Sequence, residues 1–291
     1  MRITLQSAAL AAALFVCTAC NAPGPTVPTQ FLNFEGETMG TSYSVRVEQP
    51  IQVYADFPEQ LAAIIEAELT HVDRHMSTYR DNSDLTLFNQ HTDTSPFPIA
   101  PEVYGVFERA LAVSNETKGA FDVTVGPLVN AWGFGPDGRP ETPSDDAAIE
   151  ALRTHIGFDK LTIARDPWTL AKADPDIYCD LSAIAKGWAV DQIAGALVKA
   201  GCGNFMVEVG GEVQTRGNNR EGVPWRIAIE TPTEGRRDVY AIASLSGVGL
   251  ATSGDYRNFY DADGKRLSHT IDPRTGKPIA HNLASVSVVH S

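Results

Sequence analysis

The chain has 291 residues, 36 acidic and 23 basic, for a formal net charge of −13. That length can bury a good core and is long for one compact unit. The acidic balance argues against nucleic acid or an anionic membrane surface as a partner.

In chain order, Arg2 is the only positive charge before an apolar run from Ala8 to Ala19. The run is too short to span a bilayer comfortably and reads as an export signal over residues 1–19. It ends in Cys17-Thr18-Ala19-Cys20, and an uncharged Pro-rich stretch follows from Asn21 to Gln30. Small residues before a cysteine resemble a bacterial lipoprotein signal. On that reading Cys20 becomes the lipidated N-terminus on the periplasmic side of a membrane, and residues 20–30 form a tether. The alternative is an ordinary cleaved signal that releases a soluble periplasmic protein. The functional domain is expected over residues 31–291.

Phe31 to Glu35 and Ser42 to Val47 alternate as strands. A helix is predicted over Pro58 to Met76, where Leu61, Ile64, Ile65, Leu69, Val72 and Met76 recur at helical spacing and proline suits the first turn. That stripe belongs to a core and carries no chemistry. A polar loop, Ser77 to Ser83, precedes a short helix over Asp84 to Asn89. A second long helix is predicted from Pro101 to Thr117, stopping at Gly119. Ala120 to Val125 reads as a strand, Gly133 to Pro143 as a Gly/Pro-rich loop, and Asp145 to His155 as a further helix. Strands are then predicted at Lys160–Ala164, Thr169–Ala171 and Ile177–Leu181, followed by a helix over Ala183–Ala200. A strand-rich series closes the chain: Phe205–Val209, Glu212–Arg216, Trp225–Glu230, Val239–Leu245, Val248–Thr252 and Ala284–Val289. Helices early and strands late, without regular βαβ alternation, predict an α+β architecture. Cys179 and Cys202 adjoin predicted strand ends. They read as two small buried thiols or as a disulfide, and neither has the CxxC spacing of a zinc or redox site.

Ala251 to Pro278 packs acids, hydroxyls and His269 around a hairpin whose turn is Asp261-Ala262-Asp263-Gly264. Such density suits a site handling phosphates, a metal or protons, or else a solvated hairpin ending in an Asp-Pro turn. Asp180 to Gly187 opens a helix, where free N–H groups and Lys186 favour an anion. The competing reading is a capped helix, with Ser182 as N-cap and Lys186 solvated. The ordinary pKa of His269 suits a general base, or the ring is a structural partner of the adjacent turn. No Rossmann or P-loop pattern is present.

Six segments in order carry a family resemblance: Thr38-Met39-Gly40-Thr41, Met76-Ser77-Thr78-Tyr79, Gly119-Ala120-Phe121-Asp122 running on to Trp132-Gly133-Phe134-Gly135, Asp180 to Gly187, Val209-Gly210-Gly211-Glu212, and the Ala251–Pro278 block. Together, over roughly residues 34–289, they resemble the ApbE family, flavin transferases that move FMN from FAD onto a protein threonine. The resemblance implies two interlocked, T-fold-like α+β lobes with FAD between them. It implies FAD contacts at Met39, Tyr79, Ala120, Phe121, Asp122, Asp180, Lys186 and Ile271. It also implies a Mg²⁺ ligand in the Ala183 carbonyl, a catalytic role for His269, release of AMP, and periplasmic acceptor proteins, subunits of membrane redox complexes. Magnesium, Lys186 or helix N-termini would have to offset the repulsion between this acidic chain and an anionic pyrophosphate. Family members continue past the last strand with a helix whose Asp and Thr also hold the metal, so the chain reads as truncated there or as a natural variant. Two rival readings stand beside it: an FAD pyrophosphatase yielding FMN and AMP from the same pocket, and a non-catalytic FAD-binding lipoprotein.

Overall fold

The chain folds around an antiparallel sheet that begins with a tight hairpin. The computed structural model describes residues 29–50, 56–142, 144–233, 235, 238–262 and 264–291. The expected signal segment, Cys20 and Asp263 lie outside the described residues. Residues 20–28 of the expected tether also lie outside the described residues, and Thr29 and Gln30, expected in it, belong to the first strand. That strand, β1 (Thr29–Thr38), pairs with β2 (Thr41–Pro50) through a two-residue loop, Met39-Gly40, with φ of 47° and 71°. Positive φ at both positions is what a type I′ turn requires, and Met39 is an uncommon residue there.

Helices α1 (Phe57–Met76) and α2 (Asp84–Gln90) follow, then β3 (Phe97–Pro98), α3 (Pro101–Glu116), α4 (Gly126–Ala131) and α5 (Asp146–Arg153). Strands β4 (Leu161–Arg165) and β5 (Trp168–Lys172) lead to helix α6 (Ser182–Lys199). The remainder is β6 (Phe205–Val209), β7 (Glu212–Arg216), β8 (Trp225–Glu230), β9 (Val239–Leu245), β10 (Gly249–Gly254), β11 (Phe259–Ala262), β12 (Lys265–Ser268), β13 (Ile271–Asp272), β14 (Lys277–Pro278) and β15 (Ser285–His290).

Six strands form one sheet in the order β1-β2-β6-β7-β10-β15, with every neighbouring pair antiparallel. A smaller antiparallel sheet has the order β3-β5-β4. These pairings agree with the expected α+β class. Alternation in β2 and β6 sends Val45, Val47, Phe205, Val207 and Val209 to one face of the large sheet. There they meet Leu61, Ile65 and Leu69 of α1 and Ala189, Ile193 and Leu197 of α6. Val103, Val106 and Phe107 of α3 join the same core with Leu161 and Leu170 of the small sheet. The other face of the large sheet packs Met206, Val213 and Leu250 against Trp225 and Leu245 of the β8–β9 hairpin. No helix among the described residues is long and apolar enough to cross a membrane. Cys179 and Cys202 are buried free thiols.

Two expected strands are absent. Ala120–Val125 is a turn, because the Asp122 carboxylate accepts the Thr124 N–H (2.8 Å), the Thr124 hydroxyl (2.7 Å) and the Phe158 N–H (2.9 Å). The β-branched run Val123-Thr124-Val125 imitates a strand, but the aspartate folds the backbone onto itself. Ile177–Leu181 joins no sheet. The Cys179 N–H donates to Asn89 Oδ1 (2.7 Å), and Asn89 Nδ2 donates to the Cys179 carbonyl (2.9 Å). One side chain thus supplies both bonds that a neighbouring strand would supply.

The expected single hairpin near the end resolves into two, β11–β12 and β13–β14. A third apolar cluster, Leu128, Trp132 and Ile149 with Leu267 and Ile271, docks them on α4 and α5. Trp132 Nε1 donates to the Gly276 carbonyl (2.8 Å), and the Tyr260 hydroxyl donates to the Trp132 carbonyl (3.0 Å). Gly276 has φ of 71°, and a Cβ there would lie 2.7 Å from both Arg153 Cδ and Ile149 Cγ2. Gly276→Ala should therefore lower the unfolding free energy by about 1–3 kcal/mol through strain and overpacking. Denaturant melts check this, and a superimposable curve would mean that the hairpin is not clamped at this point.

Candidate functional site

Helix α6 starts at Ser182, with Leu181 as N-cap and no side-chain bond from the cap residue. Ser182 is thus not the cap expected from sequence. Instead Asp180, 9% exposed, accepts the Ser182 N–H on Oδ1 at 2.7 Å, while its own N–H donates to the Val123 carbonyl at 2.7 Å. The N–H groups of Ile184 and Ala185 both donate to the Leu181 carbonyl. The first turn consequently keeps fewer free donors for an anion than expected. Ala183 is exposed on this turn.

One turn on, Lys186 Nζ sits 2.8 and 2.9 Å from the two carboxylate oxygens of Glu212. The solvated-lysine alternative is therefore incorrect: the charge is half-buried and paired. The pair joins α6 to the start of β7, beside the Gly210-Gly211 turn. Gly210 has φ of 58°, and a Cβ on it would stand 2.8 Å from Thr41 Cγ2 and 2.9 Å from Lys186 Cδ. The absent side chain lets the Lys186 stem pass between the β6–β7 turn and the β1–β2 hairpin. Met39, in that hairpin, is half-buried against the main core.

His269 follows β12. Its backbone N–H donates to the Asn258 carbonyl at 3.0 Å, and its Nδ1 lies 3.0 Å from the same oxygen. A carbonyl only accepts, so this contact assigns the ring proton to Nδ1 and leaves the Nε2 lone pair available. Burial pushes the imidazole pKa below its ordinary value, and the nearby Lys186 ammonium adds to the effect. The bond to Asn258 and the Asp255 charge oppose it. The ring packs near Phe134, with centroids 6.3 Å apart.

Phe134 is shared with Tyr79, whose hydroxyl lies 3.5 Å from the Phe134 carbonyl. The Tyr79 residue is 68% exposed. Its phenol is nonetheless pushed up in pKa by desolvation and then by the Asp180 charge. Contacts join Tyr79 and His269 through Phe134, and Lys186 and Glu212 beside Asp180 at the start of α6; the Asp180 charge acts on Tyr79 and the Lys186 charge on His269. Phe121 is half-buried against the main core, Ala120 is exposed beside it, and Ile271 packs on the third cluster. The Asp122 carboxylate is taken up by Thr124 of its own loop and by the Phe158 N–H.

A divalent metal has two places to be tested. Among the described residues, one group of three His, Asp or Glu side chains has its donor atoms close together: His155, Asp174 and Asp176. His155 Nδ1 is 2.7 Å from Asp174 Oδ2, a bond that needs the proton on Nδ1 and removes that lone pair. The trio shares no residue with the site. At the start of α6 the hard oxygens are the Asp180 carboxylate and the Ala183 carbonyl. Magnesium binds through one or two protein carboxylates plus substrate phosphates and waters, and this small donor set fits that habit.

Residues 39–291 match the sequence model of the ApbE family. The chain belongs to the ApbE family. It is 46% identical over 263 residues to an FAD:protein FMN transferase of Vibrio cholerae, an alignment covering 90% of this chain and 77% of that protein. It is 40% identical over 286 residues to the FAD:protein FMN transferase of Escherichia coli K12, covering 97% and 81%. Among solved structures, the flavin transferase ApbE from Vibrio cholerae superposes with a TM-score of 0.82 at 44% identity, over 90% of this chain and 82% of that one. The apo flavinyl transferase ApbE of Pseudomonas stutzeri gives 0.80 at 38% identity, over 90% and 80%.

Within this ApbE-family fold, three participants escape reading from single motifs. Glu212 stands in the Val209–Glu212 motif, yet its pairing with Lys186 depends on a helix and a turn meeting in space. Phe134 lies in the Trp132–Gly135 segment, yet its contacts with Tyr79 and His269 depend on the fold. Asn89 closes a short helix and carries no local signal. One consequence concerns pH. Because the folded pKa of His269 is depressed, its stabilising contribution is present above the ordinary value of 6.5 and is lost as pH falls through the folded value. Imidazole NMR titration should place the His269 midpoint below 6.5; a midpoint at or above it would remove burial as the controlling influence.

Proposed function

We propose that this chain is an FAD:protein FMN transferase that passes FMN from FAD to a threonine hydroxyl of an acceptor protein and releases AMP. The observation that carries the reading is that Phe134 contacts both Tyr79 and His269, while Asp180 and Lys186 stand together at the start of α6. It is supported by the 46% identity to a protein named for that activity.

FAD would lie between the two lobes, one built on the large sheet and one reaching it through α4, α5 and the docked hairpins. Its isoalloxazine would stack on the exposed Tyr79 ring beside Met39, where an aromatic face and a soft thioether suit a flat apolar system. Ala120, Phe121, Asp122 and Ile271 would line the cofactor, Asp122 by holding the loop that presents its neighbours. Lys186 would face the pyrophosphate, sharing its charge between Glu212 and the phosphates. Mg²⁺, held by the Ala183 carbonyl together with phosphate oxygens and waters, would supply further charge neutralisation when bound.

In the transfer, the acceptor Oγ forms a bond to the FMN phosphorus, and the pyrophosphate P–O bond to AMP breaks. The hydroxyl proton goes to His269 Nε2. The Nδ1–H bond to Asn258 orients the ring for this, and the depressed pKa keeps it neutral near pH 7. The lipoprotein-like segment ending at Cys20 supports export and anchoring on the periplasmic side, where flavinylated subunits of membrane redox complexes would be the acceptors.

The test mixes the chain from residue 21 onward with FAD, Mg²⁺ and a threonine-bearing acceptor domain, and reads covalent flavin fluorescence on a denaturing gel. Metal-dependent labelling is expected. FMN and AMP appearing without labelled acceptor would replace transfer by hydrolysis. His269→Ala should slow transfer by about a hundredfold or more while FAD still binds; a wild-type rate would dismiss it as the base. Tyr79→Ala should weaken FAD binding by up to about tenfold through lost stacking, measured by flavin fluorescence.

A further inference from the structure

Tyr79 and Asp180 are far apart in sequence, yet the short helix α2 touches the backbone beside both. At its start, the Ser83 hydroxyl accepts the Thr86 N–H at 2.9 Å and donates to the Ser77 carbonyl at 2.5 Å. The Thr86 hydroxyl donates to the same carbonyl at 3.2 Å, and the Ser77 hydroxyl accepts the Tyr79 N–H at 3.1 Å. The loop bearing Tyr79 is thereby tied to the front of α2.

At the other end, Asn89 grips Cys179 at both backbone polar groups, 2.7 and 2.9 Å. Lys172, 1% exposed, reinforces the grip: its Nζ lies 3.3 Å from the Asn89 carbonyl and 3.1 Å from the Ile177 carbonyl. The residue after Cys179 is Asp180, whose carboxylate then orders the first turn of α6. A two-point amide clamp fixes the orientation of a peptide unit as well as its distance. No strand lies alongside to do so.

We infer that Asn89 is a positioning residue for FAD: through the Cys179 backbone it holds Asp180 and the start of α6 in register with Tyr79. The inference rests on the reading of Asp180 as an FAD contact. It makes α2 a spacer with one end under each contact, so that the two are held at one separation.

FAD dissociation constants are measured by flavin fluorescence on the full chain for the wild type, Asn89→Ala, Asp180→Ala and the double variant, at a temperature where each is folded. Each single change should raise Kd about tenfold. The double variant should bind no worse than Asp180→Ala, because residues acting through one another are not additive. A double variant weaker by the product of the two effects would overturn the inference, since general loosening of the fold gives additive losses. So would an unchanged Kd in Asn89→Ala. An unchanged Kd in Asp180→Ala would instead take Asp180 out of the site, and the inference would fall with that reading. If Asn89→Ala does not fold, Asn89→Asp carries the same test: it keeps an acceptor for the Cys179 N–H, loses the donor to the Cys179 carbonyl, and should shift Kd in the same direction.

Discussion

The packing of helix α6 on the large sheet is the constraint from which the site follows. Ala189, Ile193 and Leu197 are fully buried or nearly so against β2 and β6, which leaves the helix no freedom to slide or turn. Its first turn, with Asp180 just before it and Lys186 just inside it, is then presented at a set place beside the β6–β7 turn. There the Lys186–Glu212 pair forms, and only a glycine at 210 gives the lysine stem room. A half-buried pair of this kind contributes more to register than to stability, since desolvation offsets much of its attraction.

Around that anchor, much of the site is built from segments whose backbone bonds come from side chains. Asp122 folds the Ala120–Val125 turn, Asn89 holds Cys179, and Asp180 orders Ser182. Each replaces a strand neighbour or helix cap by one short polar side chain. Such segments can follow a path that no regular element allows while still satisfying buried polar groups. They also concentrate the consequences of substitution in a few amide and carboxylate groups.

The last third of the chain brings in His269, the proposed proton acceptor. Its two hairpins reach α4 and α5 through Trp132, Tyr260 and Ile271, and this docking delivers His269 to the neighbourhood of Phe134 and Lys186. The same arrangement leaves the imidazole between a buried flank, a cation and a carbonyl. Burial and the cation favour the neutral ring, and the carbonyl defines which nitrogen is free. An acidic protein thus assembles a local cluster in which Lys186 is held against Glu212 at the start of α6.

The sequence by itself determined the long elements and the family. Apolar spacing marks α1, α3 and α6, alternation marks β1, β2, β6 and β7, and the ordered motifs from Thr38 to Pro278 are legible without coordinates, because period and local turn chemistry are properties of neighbouring residues. Tyr79, Asp180, Lys186 and His269 were singled out by the family resemblance rather than by a local signal sufficient on its own. Only the tertiary structure decided that Val123-Thr124-Val125 is a turn and that Ile177–Leu181 is clamped rather than paired. It alone showed that Lys186 is matched by Glu212 and that Asn89 lies beneath Asp180. Those outcomes depend on partners distant in the chain, such as Phe158 for Asp122, Cys179 for Asn89 and Gly210 for Lys186. A hydrogen bond or a close approach across that separation leaves no periodic trace in the residues that make it.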